Sequence, residues 1–265
     1  MSDFEEMSRQ FVASANEEIE KLLQSLEKRG DLCSAIDWAF RGGGKRIRPQ
    51  LCFGAALACG GDWRDAKPAA LAIELLHTYT LVHDDLPAMD NDKFRRGLPS
   101  VWNKFGEDTA ILAGDALQAL AFRQAAKCPR NSALVVAALA ERAWGVVIGQ
   151  VADLEWQKKR DAALDVGFIY EHKTADLFIA SVRMGALAVG ADDSAIASLS
   201  DYALNLGLAF QYEDDLLDGD SPLGTAATEE AARKATAAAM TALDGMKGDC
   251  AFLRELAKRL LNRRK

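Results

Sequence analysis

The chain has 265 residues, 49% of them hydrophobic and 27% charged, an ordinary globular composition with room for a sizeable core. Its net charge of −7 argues against a nucleic-acid partner held by phosphate neutralisation, so local basic groups are read as sites and not as a global field. Five cysteines, Cys33, Cys52, Cys59, Cys128 and Cys250, show no CxxC spacing and read as free thiols of a reducing compartment.

The first helix is expected over residues 4–27, where Phe4, Met7, Phe11, Leu22 and Leu26 make a helical stripe and Ser2 and Glu5 have capping-box spacing. A second helix carries Ile36, Trp38 and Phe40 and breaks at Gly42, Gly43 and Gly44. Three glycines followed by Lys45, Arg46 and Arg48 let backbone and cations approach a ligand together, which makes either an anion site or a basic interhelix loop. Helices follow over 49–58 and 68–83, each beginning near a proline. Another runs over 109–127, and one over 131–159; Asp165 caps the next, with Lys173 and Thr174 inside it. No segment of strand length has period-2 alternation, so the fold class is all-α, a bundle of about ten helices in a single domain covering 1–265. The acidic N-terminus, with Asp3, Glu5 and Glu6, fits no signal peptide, and no apolar run reaches the length of a membrane span. A cytoplasmic protein without stable membrane insertion is expected.

Two acidic stretches stand out. Residues 81–97 read LVHDDLPAMDNDKFRRG, with Asp84, Asp85, Asp90 and Asp92 followed by Arg95 and Arg96. Pro87 disfavours helix at Leu86, so the helix loosens after Asp85 and Asp90 curls back towards Asp84. Hard oxygen ligands of this kind suit Mg²⁺ bridging to a phosphate, and arginines suit phosphate oxygens; a solvated acidic helix end is the alternative. The second stretch ends another apolar run with Asp214, Asp215 and Asp218. Two Asp-rich helix ends in an all-helical chain are best explained as facing each other across shared metals.

Seven pieces in order carry a resemblance: GGKRIRP at 43–49, HDDLPAMD at 83–90, RRG at 95–97, GDAL at 114–117, GQVADL at 149–154, KT at 173–174 and FQYEDDLLD at 210–218. The chain resembles the trans-polyprenyl diphosphate synthases, and among them the bacterial farnesyl diphosphate synthases. The resemblance implies the isoprenoid synthase fold around a central apolar cavity, and a homodimer formed through helices near mid-chain. It implies that Lys45, Arg48, His77 and Arg96 hold isopentenyl diphosphate, and that Lys173 and Arg95 serve the allylic diphosphate. Thr174 and Gln211 then face the developing carbocation. Mg²⁺ falls to Asp84, Asp90 and Asp214, with Asp85 in the same ligand set, Asp218 supporting and Asp115 beneath the first cluster. Gln150 and Asp153 lie on the long helix, and their counterparts in the family line the pocket; a polar patch on that helix is the alternative. An aromatic at Tyr79, five residues before Asp84, is the expected floor that stops the product at fifteen carbons.

After Asp218 the chain departs from the family: the loop is short, and the lysines that help hold the allylic diphosphate are missing. That either impairs activity or shifts the task to Lys173, Arg95 and the basic tail Arg263, Arg264 and Lys265, whose other reading is favourable charge at a helix C-terminus; a geranylgeranyl diphosphate synthase and a non-catalytic partner subunit are the alternatives. A terpene cyclase would lack the GGKRIRP loop, since it binds no second diphosphate.

Overall fold

A computed structural model describes residues 2–159, 165–219 and 221–261, so the basic tail at 263–265 lies outside the described residues. Helix α1 (Asp3–Ser25) opens with the expected capping box: Glu5 N–H donates to Ser2 Oγ at 3.4 Å, and Ser2 N–H to the Glu5 carboxylate at 3.2 Å. Then come α2 (Leu32–Arg41), α3 (Ile47–Ala58), a 3₁₀ turn (Trp63–Ala66) and α4 (Lys67–Asp84). After a small hairpin come α5 (Val101–Phe105), α6 (Glu107–Ala125) and α7 (Ser132–Lys159). Helix α8 (Val166–Ile169) runs through a π turn (Tyr170–Ala175) into α9 (Asp176–Val189); α10 (Asp193–Asp218), α11 (Thr225–Ala242) and α12 (Ala251–Leu261) complete the bundle.

Helix α4 is central because its first three turns are apolar on every side: Ala69 to Ile73, Leu75 and Leu76 are all buried. A helix apolar all round has to be enclosed by others. Close approach depends on glycine where α9 meets α3: a Cβ on Gly185 would collide with the Cys52 carbonyl. The ends of the chain are tied in by aromatic contacts, with the Phe11 ring 5.1 Å from Phe53 and 4.8 Å from Phe252. Buried Tyr202 on α10 donates to the Leu253 carbonyl of α12 at 2.8 Å.

Two points bear on the expectations: the all-α fold holds despite one two-residue hairpin, and the membrane-span estimate needs correcting. Strands β1 (Phe94–Arg95) and β2 (Leu98–Pro99) form an antiparallel ladder too short for any period-2 signal. Its loop residues Arg96 and Gly97 both have positive φ, 52° and 78°, as a tight hairpin turn requires. Secondly, an apolar run does reach membrane-span length: within α7, Ser132–Lys158 is long and apolar enough, with a mean hydropathy of 1.5. Only 39% of an 18-residue window within it is buried. Leu134, Trp144, Val147 and Val151 on α7 and Ile111 and Leu112 on α6 are exposed.

Candidate active site

Helix α4 ends where Pro87 dictates. Leu86 N–H bonds the His83 carbonyl at 3.1 Å, and Asp90 N–H returns to the Asp84 carbonyl at 2.9 Å, so the acidic loop curls back as the sequence suggests. The helix end is seated on α6, where His83 Nε2 meets the Ile111 carbonyl at 3.0 Å and Gly114 leaves space that a Cβ would fill. Asp85 is buried and clasped by Arg95, whose Nε donates to it at 2.8 Å and whose Nη2 bridges to Asp92 at 3.1 Å. Burial raises the carboxyl pKa of Asp84 to about 6, aided by Asp90 and Asp85 and opposed by Lys173 and Arg95. Burial likewise raises Asp85 and Asp90, with Lys173 opposing it at Asp90. Asp115, expected beneath this cluster, is exposed on α6. Tyr79 is half-buried, its ring 5.0 Å from that of His83.

Beside the acids lies a basic cavity of about 360 Å³ lined by Gly44, Lys45, Arg46, Arg48, Glu74, His77 and Arg96. It brings together Lys45, Arg48, His77 and Arg96, the four residues expected to share one anion. Arg46, left-handed at φ 49°, turns inward to Glu74 at 2.9 Å and Asn16 at 2.8 Å, and so is structural. The others keep capacity in hand. Arg48 Nε and His77 Nδ1 are buried without a hydrogen-bond partner. Burial lowers the Arg48 pKa to about 10, with Arg96 adding to the effect and Glu74 opposing it. Burial, then Arg48, Arg96, Arg46 and Arg95, push His77 well down, so it is neutral at pH 7. The hairpin turn separates its two arginines: Arg95 faces Asp85, whereas Arg96 bonds the Gly43 carbonyl and lines the basic cavity.

A third region faces the α4 acids. A cavity of about 260 Å³ is lined by residues including Asp153, Lys173, Thr174, Gln211, Asp215 and Asp218. The π turn presents Lys173 and Thr174; single π turns of this kind recur at functional sites. Ala175 sits at its end, facing Gly207 of α10. Lys173 Nζ bonds Asp153 of α7 at 2.5 Å and acts electrostatically on both Asp84 and Asp90. Thr174 Oγ1 donates to Gln211 Oε1 at 2.8 Å. Asp214 is half-buried on the same last turns of α10, while Asp215 and Asp218 reach the cavity wall. The connection from α10 to α11 spans residues 219–224, with Pro222 in the cavity wall.

The match to a polyprenyl synthetase family model covers residues 31–262, nearly the whole chain. The chain belongs to the polyprenyl synthetase family. A farnesyl diphosphate synthase of Geobacillus stearothermophilus is 39% identical over 92% of this chain and 86% of its own length. A dimethylallyltranstransferase of Fischerella ambigua is 41% identical over 95% of this chain and 77% of its own. The apo crystal structure of an FPP/GFPP synthase from Zymomonas mobilis superposes with a TM-score of 0.91, at 32% identity, covering 98% of this chain and 99% of that one. This polyprenyl synthetase is therefore a prenyltransferase with the isoprenoid synthase fold.

Glu74 and Tyr170 of the synthetase site escape its motifs, whereas Asp153 and Asp215 lie inside them. Glu74, only 3% exposed, gives no sequence signal beyond being an acid inside an apolar helix, yet it neutralises Arg46 and leaves Arg48 for the cavity. Asp153 is the counter-charge of Lys173. Tyr170 and Asp215 complete the wall of the acidic cleft. Among the described residues no three acid, imidazole or thiol groups converge into a preformed metal cluster. The donor chemistry still fits a divalent cation. Asp84, Asp85 and Asp90 are hard oxygen donors that repel one another, partly offset by Lys173 and Arg95.

Proposed function

We propose that this short-chain prenyl diphosphate synthase condenses isopentenyl diphosphate with dimethylallyl or geranyl diphosphate to give farnesyl diphosphate. The carrying observation is the basic cavity, where buried Arg48 Nε and His77 Nδ1 lack protein partners beside Lys45 and Arg96. A buried donor without a partner is costly, and a diphosphate supplies the missing acceptors. This second anion site, next to an acidic cleft, suits joining two diphosphate substrates and not cyclising one. Mg²⁺ would be held by Asp84, Asp85, Asp90 and Asp214, supplying positive charge to the leaving diphosphate. Arg95 and Lys173 add fixed charge on the same side. Lys45, Arg48, His77 and Arg96 orient isopentenyl diphosphate, and Thr174 and Gln211 turn oxygens towards the carbocation.

The decisive assay combines purified protein, Mg²⁺, dimethylallyl diphosphate and isopentenyl diphosphate, with products dephosphorylated and sized. Farnesol is the expected product. No product with either allylic starter would sink the reading. Geranylgeranyl diphosphate is the second reading, favoured by a geranylgeranyl diphosphate synthase of Cyanophora paradoxa that is 42% identical over 78% of this chain and 73% of its own length. The protein acts in the cytoplasm as a homodimer. Five free cysteines support the first statement, and the exposed apolar residues of α6 and α7 support the second. A Trp144→Glu variant that sediments as wild type does would count against pairing through α7.

A further inference from the structure

The wall of the acidic cleft carries a polar chain that joins the π turn to α10. Tyr170, 6% exposed at the start of the turn, donates its hydroxyl proton to Asp215 Oδ2. Asp215 Oδ1 accepts from Gln211 Nε2 at 3.0 Å, and Gln211 Oε1 accepts from Thr174 Oγ1 at 2.8 Å. All four residues line the same cavity. The ring of Tyr212 stands edge-on to that of Tyr170, 5.4 Å between centroids, and limits its movement.

A glutamine amide has two ends of nearly equal shape and opposite polarity, and its neighbours decide which way round it sits. An ionised carboxylate only accepts hydrogen bonds. Asp215 therefore takes the NH₂ end of Gln211, and the carbonyl end is left to Thr174 and the cleft. Asp215 can perform this selection only while its own carboxylate is held in one rotamer, and the Tyr170 hydroxyl holds the oxygen that Gln211 does not use.

We propose that Tyr170 is a positioning residue: by clamping Asp215 it keeps the Gln211 oxygen facing the cationic carbon of the ionised allylic substrate. The inference rests on the prenyl-transfer reading above. Without the clamp, Asp215 turns, the amide loses its polar preference, and a population with NH₂ facing the cation appears. That population repels a positive charge but is indifferent to a neutral chain of the same shape.

Two diphosphate probes of equal chain length separate these cases. One is a thiolodiphosphate whose hydrocarbon chain is uncharged; the other carries an ammonium nitrogen in place of the cationic carbon. Titration calorimetry with Mg²⁺ compares the wild-type chain, Tyr170→Phe, Gln211→Ala and the double variant. Tyr170→Phe should weaken the ammonium probe about tenfold, as for loss of a hydrogen bond to a charged group, and the neutral probe by less than about twofold. In the Gln211→Ala background the same change should add nothing, because the two residues act as one unit. Equal weakening of both probes, no weakening of the ammonium probe, or full additivity would overturn the inference alone. A wild-type chain that binds neither probe would overturn the prenyl-transfer reading, and the inference with it.

Discussion

Replacing Arg48 with Met should make the substrate-free protein more stable and the enzyme worse. Burial lowers the Arg48 pKa from its ordinary value to about 10. For a base whose pKa is lower in the folded chain than in the unfolded one, the charged form is disfavoured by folding. That cost is fully present at pH 7 and fades only as pH rises through about 10. Two to three pKa units correspond to about 3 kcal/mol. Methionine fills the space of the arginine stem without the charge, but forfeits the approach of the guanidinium to the Phe178 ring at 5.6 Å. That contact is worth about 0.5–2 kcal/mol, leaving a net gain of about 1–2 kcal/mol and a Tm higher by roughly 2–8 °C. Catalysis moves the other way. Loss of a charge-assisted contact to the diphosphate costs about 1.5–3 kcal/mol, so KM for isopentenyl diphosphate should rise about 10- to 150-fold with a smaller change in kcat. Calorimetric melting without substrate, and initial rates with the allylic partner saturating, measure the two effects. A variant that melts lower and keeps its KM would refute the reading of Arg48 as an uncompensated substrate-binding cation.

Asp84→Asn and Asp214→Ala should each lower turnover at least about a hundredfold, measured by product formation with Mg²⁺. The folded pKa of Asp84 is raised to about 6, so its ionised form costs stability above that pH, and the cost disappears as pH falls towards the unfolded value. Metal-free Asp84→Asn should therefore melt higher than wild type at pH 7.5 and lose that advantage by pH 4; parallel melting curves would contradict it. Arg96→Ala should raise KM for isopentenyl diphosphate more than for the allylic substrate, and Arg95→Ala the reverse. Arg95→Ala should also lower Tm, because Asp85 then stays buried without its partner; equal kinetic effects would sink the division between the two arginines. Tyr79→Ala should let at least one more five-carbon unit add, read by chromatography of dephosphorylated products. Continued arrest at farnesol at comparable rates would place the floor elsewhere.

Local chemistry made part of this site legible in the sequence. Pro87 sets the end of α4 and the return of Asp90 by steric rules that need no tertiary context, and the backbone bond from Asp90 to Asp84 follows. The capping box of α1 and the Asp165 cap of α8, which accepts Phe168 N–H at 3.3 Å, are equally local. What the chain alone does not reveal depends on which way a side chain turns. Arg46 and Arg48 are two apart in one basic run, and only the left-handed backbone at Arg46 sends one to Glu74 and the other to the cavity. His77 sits on an apolar stripe like any satisfied core histidine; the arginines that surround it come from α3 and the hairpin. Helix α7 misled the estimate of membrane-span length because its apolar residues lie on two faces, only one of them packed inside.

Those two faces of α7 have a consequence of their own. Gly145, Gly149 and Asp153 share its inner face, bedding His172, Asp176 and the backbone of Lys173 and holding the Lys173 ammonium. Trp144, Val147 and Val151 share the outer one. One rigid rod thus separates Lys173 from the surface by little more than the thickness of a helix, about 10–12 Å. Whatever settles on the outer face and rolls the rod by a few degrees must shift the ammonium inside. Dilution, detergent or a surface substitution far from any substrate should then be felt as a change in rate constant before any loss of folded protein.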